Sequence, residues 1–226
     1  EIVAGIRTCV LTYKFIPVGC CSLSVKVGLQ LLMNEIIDSL PSPAYRGEYI
    51  GKDPDTGAEV VRHPKADEPF AGFVFKTYTD QYAGRICLVR VRAGVLAKDA
   101  EILNPRTGTK FRASHLYSMD GKKQIEINTG WTGDILALVK VEGVMCGDTL
   151  SDKDKKYIAP PMVLPSPVYF LAIHAKQKKD EEKLNSMLIK AAEDDPTFHV
   201  KFNAETRETV IEAMGSQQVD VVLSRI

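Results

Sequence analysis

Apolar residues recur at Leu29, Leu32, Met33, Ile36, Ile37 and Leu40, the spacing of one face of an α-helix. Pro41-Ser42-Pro43 follows at once and predicts the end of that helix, because proline has no amide hydrogen and clashes with the turn before it. Residues 2–15 show no clear period, and residues 16–20 read as a brief strand. From residue 69 the period changes to two. In residues 85–92, Cys87, Val89 and Val91 fall on one face and Arg90 and Arg92 on the other, because side chains alternate along a strand. With the turn at residues 79–84, residues 69–94 predict a hairpin with an apolar inner face and two outward guanidinium groups. Further short strands follow to residue 150, broken by turns at Asn104-Pro105-Arg106-Thr107-Gly108 and Asp120-Gly121-Lys122-Lys123. Their number and spacing predict a small sandwich or closed barrel.

The ends of this β-rich stretch are polar. Residues 45–68 read as a linker or excursion, with a turn at Asp53-Pro54-Asp55-Thr56-Gly57 and a short strand over 58–62. Residues 151–164 read as a charged, proline-bearing connector. Beyond it the pattern is strand (168–173), helix (Leu184, Met187, Leu188, Ala191, Ala192, with Asp180 as N-cap), strand (198–202), strand (209–212) and helix (Val219, Val222, Leu223, Ile226, capped by Ser216). This is a split βαβ order without its last strand, and it predicts an unpaired edge at residues 168–173, through which the chain self-associates or which leaves the domain loosely ordered.

Composition adds little. The chain has 226 residues, 45% hydrophobic, with Lys+Arg and Asp+Glu both 29, so net charge selects no partner. The distribution is uneven. Arg85, Arg90, Arg92, Lys98, Arg106, Lys110, Arg112, Lys122 and Lys123 meet only Asp99, Glu101 and Asp120 in residues 85–123, whereas residues 124–152 hold one base, Lys140, among five acids. A basic side of this kind suits phosphate backbones. The five cysteines (Cys9, Cys20, Cys21, Cys87, Cys146) show no zinc spacing and are odd in number. With no long apolar run, the expectation is a reduced, cytoplasmic protein. An opening Glu in mid-pattern suggests a piece of a longer chain.

Five ordered blocks carry a resemblance. Phe15-Ile16-Pro17-Val18 with Cys20-Cys21-Ser22, Gly28-Leu29-Gln30-Leu31-Leu32 and Leu40-Pro41-Ser42-Pro43 looks like the end of a GTPase domain. Pro69-Phe70-Ala71, Phe75-Lys76, Asp80, Tyr82, Gly84-Arg85, Val89-Arg90-Val91 and Gly94, with Gly133-Asp134-Ile135 and Gly147-Asp148-Thr149-Leu150, looks like a barrel domain. Asp180, Lys183-Leu184, Glu193-Asp194-Asp195-Pro196, Glu205-Thr206 and Ala213-Met214-Gly215 look like the domain after it. In this order the chain resembles elongation factor G and its relatives among the translational GTPases. The resemblance implies a multi-domain α+β protein: the C-terminal strand and helix of a P-loop GTPase domain (1–43), a translation-factor β-barrel (44–152) and a ferredoxin-like βαββα domain lacking its last strand (153–226). It departs at Ser216-Gln217-Gln218, where the family has Gly-Glu-Leu-His, and at Cys21-Ser22-Leu23, where it has Gly-Ser-Ala. Both departures point to a divergent paralogue.

The implied function is the ribosome-docking middle portion of a GTPase acting in translation elongation, with small-subunit RNA, the subunit interface and its own GTPase domain as partners, and neither DNA nor membrane. No Gly-x-x-x-x-Gly-Lys-[Ser/Thr] cradle occurs, so GTP and Mg²⁺ are implied for the full-length parent and no cofactor for this piece. Ser22 is the one residue matched to the guanine loop. No catalytic set or metal site is expected: His63, His115, His174 and His199 are scattered, and Glu193-Asp194-Asp195 reads as a helix-to-strand connector. For RNA phosphates the candidates are Arg90, Arg92, Arg106, Lys110, Arg112, Lys122 and Lys123. The alternatives are a ribosome-protection or stress-type paralogue, or a stand-alone RNA- or protein-binding barrel module.

Overall fold

The computed structural model describes residues 2–80, 84–121, 123–175 and 177–225. Gln81, Tyr82 and Ala83 of the first hairpin turn, Lys122 of a later turn and Ile226 of the last helical stripe lie outside them. The chain divides into two units, residues 1–47 and 48–226.

The first unit pairs helix α1 (Ile2–Leu11) with α2 (Leu29–Ser39). The α2 helix follows the predicted stripe and stops before Pro41. Its stripe is poorly covered, with Met33, Ile36, Ile37 and Leu40 all exposed. The α1 helix corrects the sequence reading. Gly5 and the β-branched Ile2, Val3 and Ile6 lower local helix propensity and hide a stripe that ends on the buried Val10. Residues 16–20 form no strand, since nothing among the described residues pairs with them. Ser22 and Val27 instead make an isolated bridge. Gly28 closes this loop at φ +75°, where a Cβ would lie 2.6 Å from the Cys20 carbonyl oxygen.

The second unit is built on antiparallel strands. The hairpin β1 (Tyr49–Lys52) and β2 (Glu59–Arg62) comes first, around the predicted turn, where Asp53 Oδ1 accepts the amides of Asp55 and Thr56. Next come β3 (Ala71–Asp80), β4 (Gly84–Ala93), β5 (Leu96–Ala97), β6 (Glu101–Asn104), β7 (Thr109–Arg112), β8 (Leu116–Asp120), β9 (Lys123–Glu126), β10 (Thr129–Gly130), β11 (Ile135–Val139) and β12 (Thr149–Asp152). Eight of these form one sheet in the order β7-β6-β12-β3-β4-β11-β8-β9, and β5 pairs with β10. One buried cluster joins Ile102 of β6, Val74 of β3, Val89 of β4, Leu138 of β11 and Leu116 of β8. Strands so far apart in the sheet share a core only if the sheet curls on itself, which makes it a barrel. Cys87, Val89 and Val91 face that core as expected, and burial pushes the Cys87 thiol up to about 11.

Residues 151–164 are more than a connector. Tyr157 and Ala159 are buried with Ala71 and Ala93 on the outside of the barrel, against Tyr49, Val60 and Phe73. Beyond them, β13 (Tyr169–Ile173), α3 (Glu181–Asp194), β14 (His199–Asn203), β15 (Glu208–Ala213) and α4 (Ser216–Leu223) give the predicted βαββα order. The sheet order is β13-β15-β14. Both helices cover one face, where Leu188, Phe198, Ile211 and Val219 are buried together. The β13 strand is an edge, as expected. Asp180 stands at the α3 N-cap as predicted, but with helical backbone angles and no side-chain cap bond, and Gly215 rather than Ser216 occupies the α4 N-cap. No helix among the described residues is long and apolar enough to cross a membrane.

Candidate functional site

The outward face of β4 is where the sequence placed its two leading arginines. Arg90 stands opposite Phe73 of β3 and Ile135 of β11, half-buried. Arg92 falls at a break in register: Ala71 opposes Ala93 and Gly72 opposes Val91, so Arg92 has no opposite residue. Its guanidinium lies 4.0 Å from the Phe73 ring centroid and 5.3 Å from that of Tyr49. The expectation of a solvated outward charge is corrected here. The β1–β2 hairpin roofs this part of the barrel, and Arg92 is held by cation–π contact beneath it.

Arg106 is also engaged. Its Nε donates to Asp148 Oδ1 at 2.5 Å, and its Nη2 to Asp148 Oδ2 and to the Gly143 carbonyl at 2.9 Å each. The same Asp148 accepts from Asn104 Nδ2 at 2.8 Å and from the Met145 amide at 2.9 Å. Asn104 and Asp148 are buried. This network ties the β6–β7 turn to the loop before β12, and it gives the Gly147-Asp148-Thr149-Leu150 block a physical role. Hydrogen bonding to Asp148 holds the Arg106 pKa above even its usual high value. Lys110 and Arg112 lie exposed on β7, and Lys123 lies exposed at the start of β9. The β7 and β9 strands are the two ends of the sheet order, with β4 near its middle. The candidates thus form separate groups along the sheet.

The acidic run Glu193-Asp194-Asp195 is placed differently from expectation. Glu193 and Asp194 end α3 and bind the barrel. Thr77 Oγ1 donates to the Glu193 carbonyl at 3.1 Å, the Thr79 amide donates to Asp194 Oδ2 at 3.2 Å, and Arg85 pairs with the Glu193 carboxylate at 2.6 Å. A helix leaves its last carbonyls unpaired and carries partial negative charge at that end, so a hydroxyl and a guanidinium both suit it. Burial raises the Asp194 pKa, against the pull of the Thr79 amide and Arg85. Beside this clamp, β3, α3 and α4 line a cleft of about 1100 Å³ that includes Cys146, Met187, Asp195 and Gln217. Gln218, in the segment that departs from the family pattern, donates to Asp195 at 2.7 Å and to Thr197 at 2.9 Å, and accepts the Met214 amide. Asp195 is opposed by burial, yet the Thr197 and Gln218 bonds leave its pKa lowered.

In the first unit, the Ser22 amide donates to the Val27 carbonyl at 2.9 Å and its hydroxyl lies 3.1 Å from that of Ser24. Cys20 and Cys21 are free and exposed. His63 bonds Glu68, and His174 lies 3.4 Å from Glu208. Two features escaped the sequence reading: the Arg85 clamp and the exposed Trp131. The available signals were an arginine directly after Gly84 and a tryptophan inside a turn-like Thr-Gly-Trp-Thr-Gly-Asp run.

Comparisons with known proteins agree with this geometry. A family model described as elongation factor G domain 2 matches residues 69–153, and one described as elongation factor G, domain III matches residues 164–226. The elongation factor G of Cytophaga hutchinsonii is 36% identical over 226 residues, covering 100% of this chain and 32% of that protein's length. A crystal structure of a Thermus thermophilus protein matches with a TM-score of 0.71 at 27% identity, over 88% of this chain and 27% of that one. The barrel and the βαββα unit fall within the two matched segments in the same order, so the chain is elongation factor G-like, carrying that family's domain 2 followed by its domain III.

Proposed function

We propose that this chain is the ribosome-docking middle portion of an elongation factor G-like GTPase that acts in translation elongation in the cytoplasm. The observation that carries the reading is the similarity to an elongation factor G over all 226 residues, through a barrel and then a βαββα domain. Hydrolysis of GTP with Mg²⁺ belongs to the rest of the parent protein, because the sequence here has no phosphate cradle. The fit to a nucleotide is confined to one residue, Ser22, whose loop would lie against the guanine. The exposed Lys110, Arg112 and Lys123, with Arg90 on β4, are the groups able to neutralise small-subunit RNA phosphates. Arg106 and Arg92 serve the fold first. Gln218 favours a specialised paralogue as the second reading, since its amide is occupied in joining α4 to Asp195.

Co-sedimentation of the full-length parent with ribosomes, with and without GTP, tests the proposal. Nucleotide-dependent binding is expected, and its absence would remove the reading. Charge reversal at Arg90 and Lys110 should weaken binding and flatten its salt dependence. Unchanged binding would reject those two as contacts.

A further inference from the structure

The βαββα region is attached to the barrel in two ways that differ in kind. The first is the connector. Ile158 exchanges backbone bonds with Lys52 at 2.8 and 2.9 Å, and Tyr157 and Ala159 are buried against the barrel. On the far side, the Val168 amide donates to the Ala213 carbonyl at 3.0 Å. Between these anchors, residues 160–167 belong to no helix or strand and make no backbone–backbone bond. Pro160, Pro161, Pro165 and Pro167 keep that stretch extended. The second attachment is the Arg85 clamp at Glu193 and Asp194, where α3 ends. Arg85 Nη2 adds a 3.3 Å bond to the Glu193 carbonyl, while its Nε is buried without a partner among the described residues. The clamp therefore carries a desolvation cost along with its gain. Among the described residues no apolar cluster supplements it: each buried cluster lies wholly in the barrel or wholly in the βαββα region. Across the cleft between them, Phe75 of β3 and Val221 of α4 remain 39% and 47% exposed.

Regions joined by a small polar contact and an unbonded connector move relative to one another, because no large apolar area holds them in one arrangement. We propose that the βαββα region swings as a body on residues 160–167 and that the Arg85–Glu193 pair is its ionic latch, so that breaking the latch opens the cleft. Such a latch operates whether or not the chain docks on a ribosome. Cys146, on the barrel wall of the cleft, reports its state. Its thiol donates to the Phe75 carbonyl at 3.1 Å, and its pKa is raised by burial and then by the charges of Asp195 and Asp148. Asp195 stands on the βαββα wall, so opening relieves burial and removes that charge together. More of the thiol is then thiolate, the form that alkylating reagents attack.

The test is the rate of iodoacetamide labelling of each cysteine in the 226-residue chain, resolved by peptide mass spectrometry. Arg85→Ala and Glu193→Gln should each raise the rate at Cys146 about threefold, the scale of one partly exposed ion pair. Lys98→Ala breaks a surface pair with Glu126 elsewhere on the barrel and should leave that rate unchanged. High salt should speed labelling of Cys146 in the unaltered chain, by screening the latch, and have little effect in Arg85→Ala. The exposed Cys20 and Cys21 should label at constant rates, the core Cys87 should stay protected, and circular dichroism should not change, because the region moves without unfolding. Equal labelling of Cys146 in the unaltered chain and both latch variants would overturn the proposal. So would a faster rate accompanied by loss of helical signal or by labelling of Cys87, which would mean local unfolding. A rate in the unaltered chain that ignores salt would show that the contact is no ionic latch.

Discussion

The barrel and the βαββα region solve the same problem unequally. The barrel curls one sheet around a large core and ties its own loops together, with Asn104, Arg106 and the Met145 amide all converging on Asp148. The βαββα region has a smaller core around Leu188 and Ile211, keeps β13 as a sheet edge, and sends the end of α3 to the barrel for its hydrogen bonds. The other edge strand, β14, carries Lys201, whereas β13 (Tyr169–Ile173) has no charge. A region with a small core and a neutral edge depends more on its neighbour, and the Arg85 clamp supplies that dependence.

Breaking the barrel's internal network should have the largest effect. Asp148→Ala leaves the buried Asn104 side chain and the part-buried Met145 amide without their acceptor and should cost about 3 kcal/mol, softened because Arg106 can reach water. Urea unfolding measures it, and a loss below about 1 kcal/mol would mean the network is dispensable. The clamp should matter less. Arg85 and Glu193 are joined by a partly exposed pair, so a double-mutant cycle of Arg85→Ala and Glu193→Ala should give a coupling of about 0.5–1 kcal/mol. Amide exchange should rise in residues 181–213 of both single variants with the barrel unchanged; equal exchange throughout would deny that the βαββα region leans on the barrel. The smallest effect is a pH slope. Asp194 has a raised pKa, so the folded chain holds that proton more tightly than the unfolded chain. Its contribution favours folding at low pH and turns into a cost as pH rises through the raised pKa. Asp194→Asn should remove that slope from the acid limb of the stability curve, and an unaltered limb would show that the carboxyl titrates normally.

Much of the architecture was legible because it follows from short-range periodicity. The α2 stripe, the inward Cys87, Val89 and Val91, the turns at Asp53 and Asn104, and the βαββα order all depend on residues within a few positions of each other. The α1 helix was not legible, because Gly5 and branched residues mask its stripe. The β1 strand was missed because residues 45–52 have no alternation, and its place comes from pairing with β2 and covering Tyr157. The α3 cap position, Asp180, was legible but makes no side-chain bond, and the α4 cap falls one residue earlier than Ser216, since a residue type suited to capping says nothing of its backbone angles.

The candidate site divides along the same line. The sequence by itself determined which face of β4 each residue takes, since alternation is a property of the strand. It also carried the elongation factor G likeness through ordered blocks. Only the tertiary structure decided which outward charges meet water. Arg92 lies under Tyr49 and against Phe73, Arg106 is spent on Asp148, and Arg85 holds α3. Alternation sets a side chain's direction, but what covers that direction comes from residues far along the chain, brought there by curling of the sheet and by packing of the β1–β2 hairpin and α3 against it.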